Sequence, residues 1–446
     1  MSLLNNEQTK LWLGQFPKDD VSTASKLLER FVYVDDAEFS RRISHLAMRT
    51  YADVGPVAFF IERELPMRWV SVVRPITRKT KAKLSADAPR FRAPPRKILR
   101  PVRMYKEDLI DRGRGVPKRL RAEGAALPVV TSPRNDRQVI GSEGIVASAI
   151  SKLCEQHPEQ FFLQPSAKKI RQCRIRQFVV VTDFIGSGTR VSNFLSSLWR
   201  VKSVRSWRNG KKISFSVLCY SGTIEGIVKV KEHVSDPQVT RVIACPTLKT
   251  LFRGQELDDV KKLCIRLSPT TEDPLGYKET GALLAFQHSC PNNVPAIFFK
   301  KSDARNKPWW PLFPSRSATK VAWYQPTETT KDVEQRALET LRFANIATAH
   351  AFIHATGRKR ESIVVTAALM RGHRTLDELS ITTSLPVWTI SSAIEQARKT
   401  GLVDERWRLT RAGFSLLRKL NTVSDAAVVP ARRKEMYYPK LLRAPV

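Results

Sequence analysis

The stretch that most constrains this chain is Phe178-Val-Val-Val-Thr-Asp-Phe-Ile-Gly-Ser-Gly-Thr189, an apolar run closing on one acid and a loop of small residues. Phe178 to Val181 are apolar and mostly β-branched, which suits a strand buried on both faces of a parallel sheet. The pattern predicts Asp183 at the carboxyl end of that strand, where open α/β sheets place their ligand crevices. Gly186, Ser187, Gly188 and Thr189 permit a tight turn, and the segment from Arg190 to Trp199 reads as a helix beginning there. Amides and hydroxyls converging on a helix N-terminus cradle a phosphate. A carboxylate such as Asp183 can accept two hydroxyl hydrogen bonds, and the vicinal hydroxyls of a ribose offer that pair. The expected site is therefore Asp183 on the ribose, with Gly186, Ser187, Gly188, Thr189 and Arg190 on a phosphate. A side chain at Gly188 is expected to fill phosphate space. Arg190 either strengthens phosphate binding or takes the phosphate's place in the free protein. An ordinary βα turn with a C-terminal Asp is the competing reading.

Thr182-Asp183-Phe184-Ile185-Gly186-Ser187-Gly188-Thr189 resembles the ribose-5-phosphate loop of type I phosphoribosyltransferases. It overlays the orotate-type version, an acid pair followed by two hydrophobic residues and Thr-Ala-Gly-Thr, without a gap. The resemblance implies an α/β fold with a type I phosphoribosyltransferase-like parallel sheet. It also implies binding of phosphoribosyl pyrophosphate or a nucleotide with Mg2+, and Asp183 as the candidate catalytic residue. Two positions depart: Thr182 stands where the family usually has its first acid, and Gly186 where purine enzymes often carry one. In this scheme the loop between Leu127–Thr131, read as a strand, and a helix over 141–153 binds pyrophosphate. Ser132, Arg134, Gly141 and Ser142 are its candidates. Further strands are expected at 213–220 and 240–245 with a helix at 223–234, the alternation of a parallel sheet.

A net charge of +34 over 446 residues exceeds what solubility requires and favours a polyanionic partner. No apolar run approaches the roughly 20 residues of a spanning helix, and the N-terminus lacks a signal-peptide pattern. The expectation is a cytoplasmic protein without membrane attachment. The six cysteines lie mostly in apolar settings and none pairs at a two-residue spacing, so reduced core thiols are expected. His350 and His354 can share a helical face, but no third ligand lies nearby, so no metal site is assigned.

Five regions follow. Residues 1–66 read as a helical segment packed on the core, 67–122 as a basic proline-rich segment, and 123–320 as the α/β domain. A winged helix-turn-helix is expected at 330–422, and 423–446 is a basic tail. Arg92, Arg96, Lys97 and Arg100 represent the second region, either gripping a nucleic-acid backbone or serving as a solvated insertion. In the fourth, Thr375-Leu-Asp-Glu378 is a capping box and Pro386 opens the third helix. That helix turns Ile390, Ala393, Ile394 and Ala397 inward. Trp388, Thr389 and Ser392 then sit nearer the bases, with Arg398, Lys399, Arg406 and Arg408 on phosphates. Glu395, Asp404 and Glu405 keep a protein-adaptor role open.

Trp12–Phe16, Ile61–Leu65, Gly276–Pro295 and Trp309–Pro314 together resemble phosphoribosyltransferase-like proteins of bacterial conflict systems, over residues 8 to 316. Members of that branch occur as effectors beside retron reverse transcriptases. The resemblance implies a toxin held by a reverse transcriptase and its multicopy single-stranded DNA joined to RNA. The alternative is a phosphoribosyl pyrophosphate-sensing, DNA-binding transcription regulator without catalysis, although in those repressors the winged helix comes first. The Pro291-Asn292-Asn293 turn either reaches into the crevice or is a loop held by Asn side chains.

Overall fold

A run of apolar residues too long for one helix face and too uniform for a half-exposed strand needs neighbours on both sides, and Gln177–Ile185 has them. The computed structural model describes residues 7–72, 96–110, 119–128, 142–302, 308–313 and 329–422, divided into two units, Met1–Pro326 and Thr327–Val446. In chain order the strands are β1 Val32–Val34, β2 Val57–Ile61, β3 Met67–Val72, β4 Arg96–Pro101, β5 Lys106–Ile110 and β6 Arg119–Glu123. They continue with β7 Phe161–Leu163, β8 Gln177–Ile185, β9 Ser214–Gly222, β10 Gln238–Arg241 and β11 Leu284–Phe286. The main sheet is five-stranded in the order β10-β9-β8-β2-β7, and every pairing is parallel. Phe178 to Ile185 are all buried, with the Phe178 ring 5.4 Å from Phe60 and 5.7 Å from Phe215 across the neighbouring strands. This is an α/β fold with a parallel sheet, as the patterning predicts.

The differences are local. Val57–Ile61, read as part of a helical segment, is an inner strand between β8 and β7. Five consecutive apolar residues carry no period that separates strand from helix, so only the partner strands decide. The expected strand at 240–245 is β10, Gln238–Arg241, and residues 242–245 leave the sheet. Residues 127 and 128 are not in a strand, and 129–131 lie outside the described residues. The helix after the glycine-serine turn is Ser142–Gln156, and Ile224–Lys231 is capped by the Thr223 hydroxyl.

A short parallel pair, β1 with β11, ties the N-terminal segment to the chain near residue 285. Trp12 stacks on Phe298 at 5.1 Å, and the indole nitrogens of Trp12 and Trp309 both donate to the Ile297 carbonyl. The segments around Trp12, Phe298 and Trp309 thus form one aromatic cluster. In the basic region, β3 pairs antiparallel with β4 and β5 with β6.

The second unit is a winged helix-turn-helix. Thr329 with Asp332 and Thr375 with Glu378 form reciprocal capping boxes opening helices Thr330–Thr340 and Leu376–Thr383. The third helix is Val387–Lys399, so Pro386 is its cap rather than its first residue, and Ile390, Ala393, Ile394 and Ala397 are buried. Gly401 ends it at a φ of 69°. The wing is a single antiparallel bridge, Val403 to Leu409, before helix Arg411–Thr422.

Candidate functional site

The loop after β8 is shaped by what presses on it. Gly188 has φ 71° and caps helix Thr189–Trp199, and a Cβ there would stand 2.5 Å from the Gly226 carbonyl oxygen. The expectation that a Gly188 side chain fills phosphate space is therefore corrected: it would strike the backbone of helix Ile224–Lys231. A Cβ at Gly186 would collide with the amide of Asn293, which donates to Thr280 Oγ1 at 3.1 Å. The 291–293 turn is thus held by an Asn side chain, the second of the two readings, and it packs against the loop. Thr223 Oγ1 donates to the Gly186 carbonyl at 2.7 Å and closes the other side.

On the open side, Ser187 Oγ donates to Thr189 Oγ1 at 3.2 Å and the Lys229 ammonium donates to the same oxygen at 2.6 Å. Thr189 and Lys229 are exposed and Ser187 is half-buried. Two hydroxyls and an ammonium thus meet at the start of an 11-residue helix, a donor set chemically suited to an anion. Lys229 is a member that sequence reading missed, because it arrives from a different βα unit.

Asp183 lies inside β8 rather than at its end, since β9 is equally long and the pairing continues to Ile185 opposite Gly222. Its carboxylate is buried. Oδ1 accepts from the Phe184 amide at 2.7 Å and lies 3.3 Å from Thr182 Oγ1. Oδ2 accepts from Ser289 Oγ at 3.4 Å and faces His288 Nε2 at 3.6 Å, an ion-pair contact rather than a hydrogen bond. The other ring nitrogen, Nδ1, lies 2.5 Å from Asp36 Oδ1. Burial alone would raise the Asp183 carboxyl, yet His288, Arg190 and the Phe184 amide hold it below its ordinary value. Burial would likewise lower His288, but Asp183 and Asp36 raise it to about 9. His288 is therefore an imidazolium at neutral pH, bridging two aspartates.

Thr182, standing in place of an acid, donates to Glu62 Oε2 at 3.1 Å. Glu62 follows directly on β2 as Asp183 ends the apolar run in β8, so a second carboxylate reaches the crevice from the neighbouring strand. Glu62 does not stand open. Arg190 Nε and Nη2 grip it at 2.8 to 3.0 Å, with the carboxylate buried and the guanidinium half-exposed. Burial pushes the Glu62 carboxyl up and Arg190 opposes that, while burial lowers Arg190 and Glu62 raises it. Arg190 is thus turned onto Glu62, which is neither of the two roles expected of it.

Ser142 begins helix Ser142–Gln156, where the Glu64 amide donates to Glu143 at 3.4 Å. Ser132, Arg134 and Gly141 lie outside the described residues, as does Arg92. Arg96 is in β4, and Lys97 and Arg100 are exposed on that strand. In the winged unit Trp388 and Thr389 are half-buried, and Ser392, Lys399, Arg406 and Arg408 are exposed. Lys399 pairs with Glu395 at 2.9 Å and Arg408 with Asp404 at 2.8 Å, so both cations meet acids before any phosphate.

The donor set suits a sugar phosphate better than a protein-held metal. The cradle offers hydroxyls and a cation to an anion. Asp183 and Glu62 are already engaged by His288 and Arg190, and the described residues hold no group of three or more acidic, His or Cys side chains able to bind a metal ion. All six cysteines are free thiols, and no helix among the described residues is long and apolar enough to cross a membrane.

The PRTase-CE family model matches residues 138–315, and a second one, for a wHTH-PRTase associated domain, matches residues 363–444. The chain thus carries a phosphoribosyltransferase-like domain followed by its associated winged helix. No curated protein and no solved structure matches it. Glu62 and Asp36 precede the first match, so two carboxylates of the crevice come from chain outside it.

Proposed function

We propose that the α/β unit binds a ribose-5-phosphate group, of phosphoribosyl pyrophosphate or a nucleotide, and acts as the effector of a retron-type anti-phage system. The observation that carries the reading is the convergence of Ser187, Thr189 and Lys229 at a helix N-terminus beside the buried, ionised Asp183. The phosphate takes the place beside Thr189 that the Lys229 ammonium now approaches, and the ribose hydroxyls replace the two longest contacts of Asp183, those from Ser289 and His288. These two contacts are weak enough to exchange for hydroxyl donors. Asp183 then orients the ribose, and chemistry at its anomeric carbon passes through charge development that the buried carboxylate and the anchored phosphate stabilise. Magnesium enters as a counter-ion of the ligand's phosphates and no step is assigned to it.

The winged helix and the basic strands supply the holding function, through a reverse transcriptase and its RNA-DNA product. The charge of +34 supports a nucleic-acid partner, because such a partner releases counterions on binding. A second reading, a sensor without catalysis, draws on the Arg190–Glu62 pair, which leaves Asp183 as the one acid on the ribose. Calorimetry with phosphoribosyl pyrophosphate and magnesium tests the ligand. Asp183→Asn is expected to abolish binding and toxicity while partner binding survives. Toxicity retained in Asp183→Asn rejects the site. Binding without turnover in the wild type favours the sensor.

A further inference from the structure

The pairing of β3 with β4 places Trp69 directly opposite Leu99 and Met67 opposite Pro101, on the face away from Val70 and Ile98. Val70 and Ile98 are half-buried, whereas Trp69 is 69% exposed, Leu99 48% and Met67 38%. A two-stranded ribbon does not need an indole in water: such a cross-strand pair adds only a fraction of a kcal/mol, and exposed apolar strand surface invites association. Lys97, two residues before Leu99, shares the face of Trp69, whereas Arg68 and Arg100, paired in register, lie on the face of Val70 and Ile98; all three are exposed. Arg100 and Arg103 crowd Arg200, whose guanidinium donates to the Pro101 carbonyl. Burial and these two neighbouring cations push Arg200 below its ordinary value. Glu107 answers one of these charges, pairing with Arg103 at 3.3 Å.

We propose that the β3–β4 ribbon is a stacking platform for unpaired bases of a single-stranded nucleic acid, with Trp69 beneath a base and Lys97, on the same face, on a flanking phosphate. The inference rests on the nucleic-acid part of the proposed function and sharpens it. Backbone cations alone grip any polyanion, whereas a flat exposed indole requires a base whose face is free. A duplex keeps its base faces stacked internally and offers none to Trp69. The charge complementarity and the aromatic face together fit a single strand of DNA or RNA.

The full chain is titrated by fluorescence anisotropy with labelled oligothymidine, oligouridine and a duplex, each of about 16 nucleotides. Single strands are expected to bind more tightly than duplex, and comparison of the two homopolymers tells DNA from RNA. Trp69→Ala is expected to weaken single-strand binding about 5- to 150-fold with an unchanged salt slope, because it removes a stack and no phosphate contact. Trp69→Phe is expected to restore most of the affinity. Lys97→Ala is expected to flatten the slope of log affinity against log salt by about 0.7. An unaltered melting temperature of Trp69→Ala, expected for an exposed side chain, shows that folding is intact. A wild type that binds nucleic acid while Trp69→Ala binds it equally well overturns the platform alone. A chain that binds no nucleic acid overturns the underlying reading as well. Loss of self-association in Trp69→Ala with unchanged nucleic-acid affinity would assign the face to a second copy of the chain and reject the proposal.

Discussion

His288 gives the crevice a stability signature on the alkaline side. Its imidazolium sits between Asp36 at 2.5 Å and Asp183 at 3.6 Å, under the rings of Phe39 and Phe286. The two carboxylates raise it from 6.5 to about 9, against burial, which lowers it. A folded-state value above the unfolded one means the protonated native state is favoured. That stabilisation is complete below about pH 6.5 and is lost as pH rises through about 9. The interval corresponds to on the order of 3 kcal/mol. For a unit this large a kcal/mol moves the melting temperature by roughly 2 °C, so His288 by itself should account for about 6 °C of the loss between neutral pH and pH near 10. Cys154, Cys219, Cys245 and Cys264 are pushed up to about 12 in the folded unit, so their thiols ionise first in the unfolded chain and add an alkaline loss common to wild type and variant. Scanning calorimetry across pH, on wild type and His288→Gln, measures the effect. The variant is expected to be less stable at neutral pH and to show the shallower alkaline slope of the two. An equal alkaline slope in both proteins would refute the bridging imidazolium.

Arg190→Met leaves Glu62 buried without its cation. Breaking a fully buried pair costs about 3–5 kcal/mol, and the half-exposed guanidinium reduces this to about 2 kcal/mol. The deficit should shrink as pH falls and Glu62 protonates, and should largely vanish with Glu62→Gln added; a pH-independent deficit in denaturant melts contradicts the pairing. Gly188→Val should destabilise the ligand-free unit itself, because its side chain meets the Gly226 carbonyl; an unchanged melting temperature with ligand binding lost would return the residue to phosphate space. Lys229→Ala should weaken a ribose-phosphate ligand about tenfold, as loss of one charged hydrogen bond predicts, while leaving the melting temperature of the free protein in place.

The local parts of this protein were legible in its residues. The apolar run into Thr182-Asp183 followed by Gly-Ser-Gly-Thr specified a buried strand, a tight turn and a helix start, and the capping box at Thr375 follows the same local rule. Spacing of Ile390, Ala393, Ile394 and Ala397 settled the inner face of the winged unit's third helix. These depend on interactions spanning a few residues, which sequence patterns record. What surrounds Asp183 depends on contacts across the chain. Glu62 and Asp36 come from the first hundred residues and His288 and Asn293 from near residue 290, joined by the β2–β8 and β1–β11 pairings. A lone acid directly after an apolar run was a usable signal for Glu62, identical in kind to that for Asp183; nothing in the neighbourhood of His288 marked it. Tertiary structure alone decided that Arg190 grips Glu62 and that an imidazolium stands against Asp183, because a charge buried in a crevice takes its partner from whichever strand the sheet brings alongside.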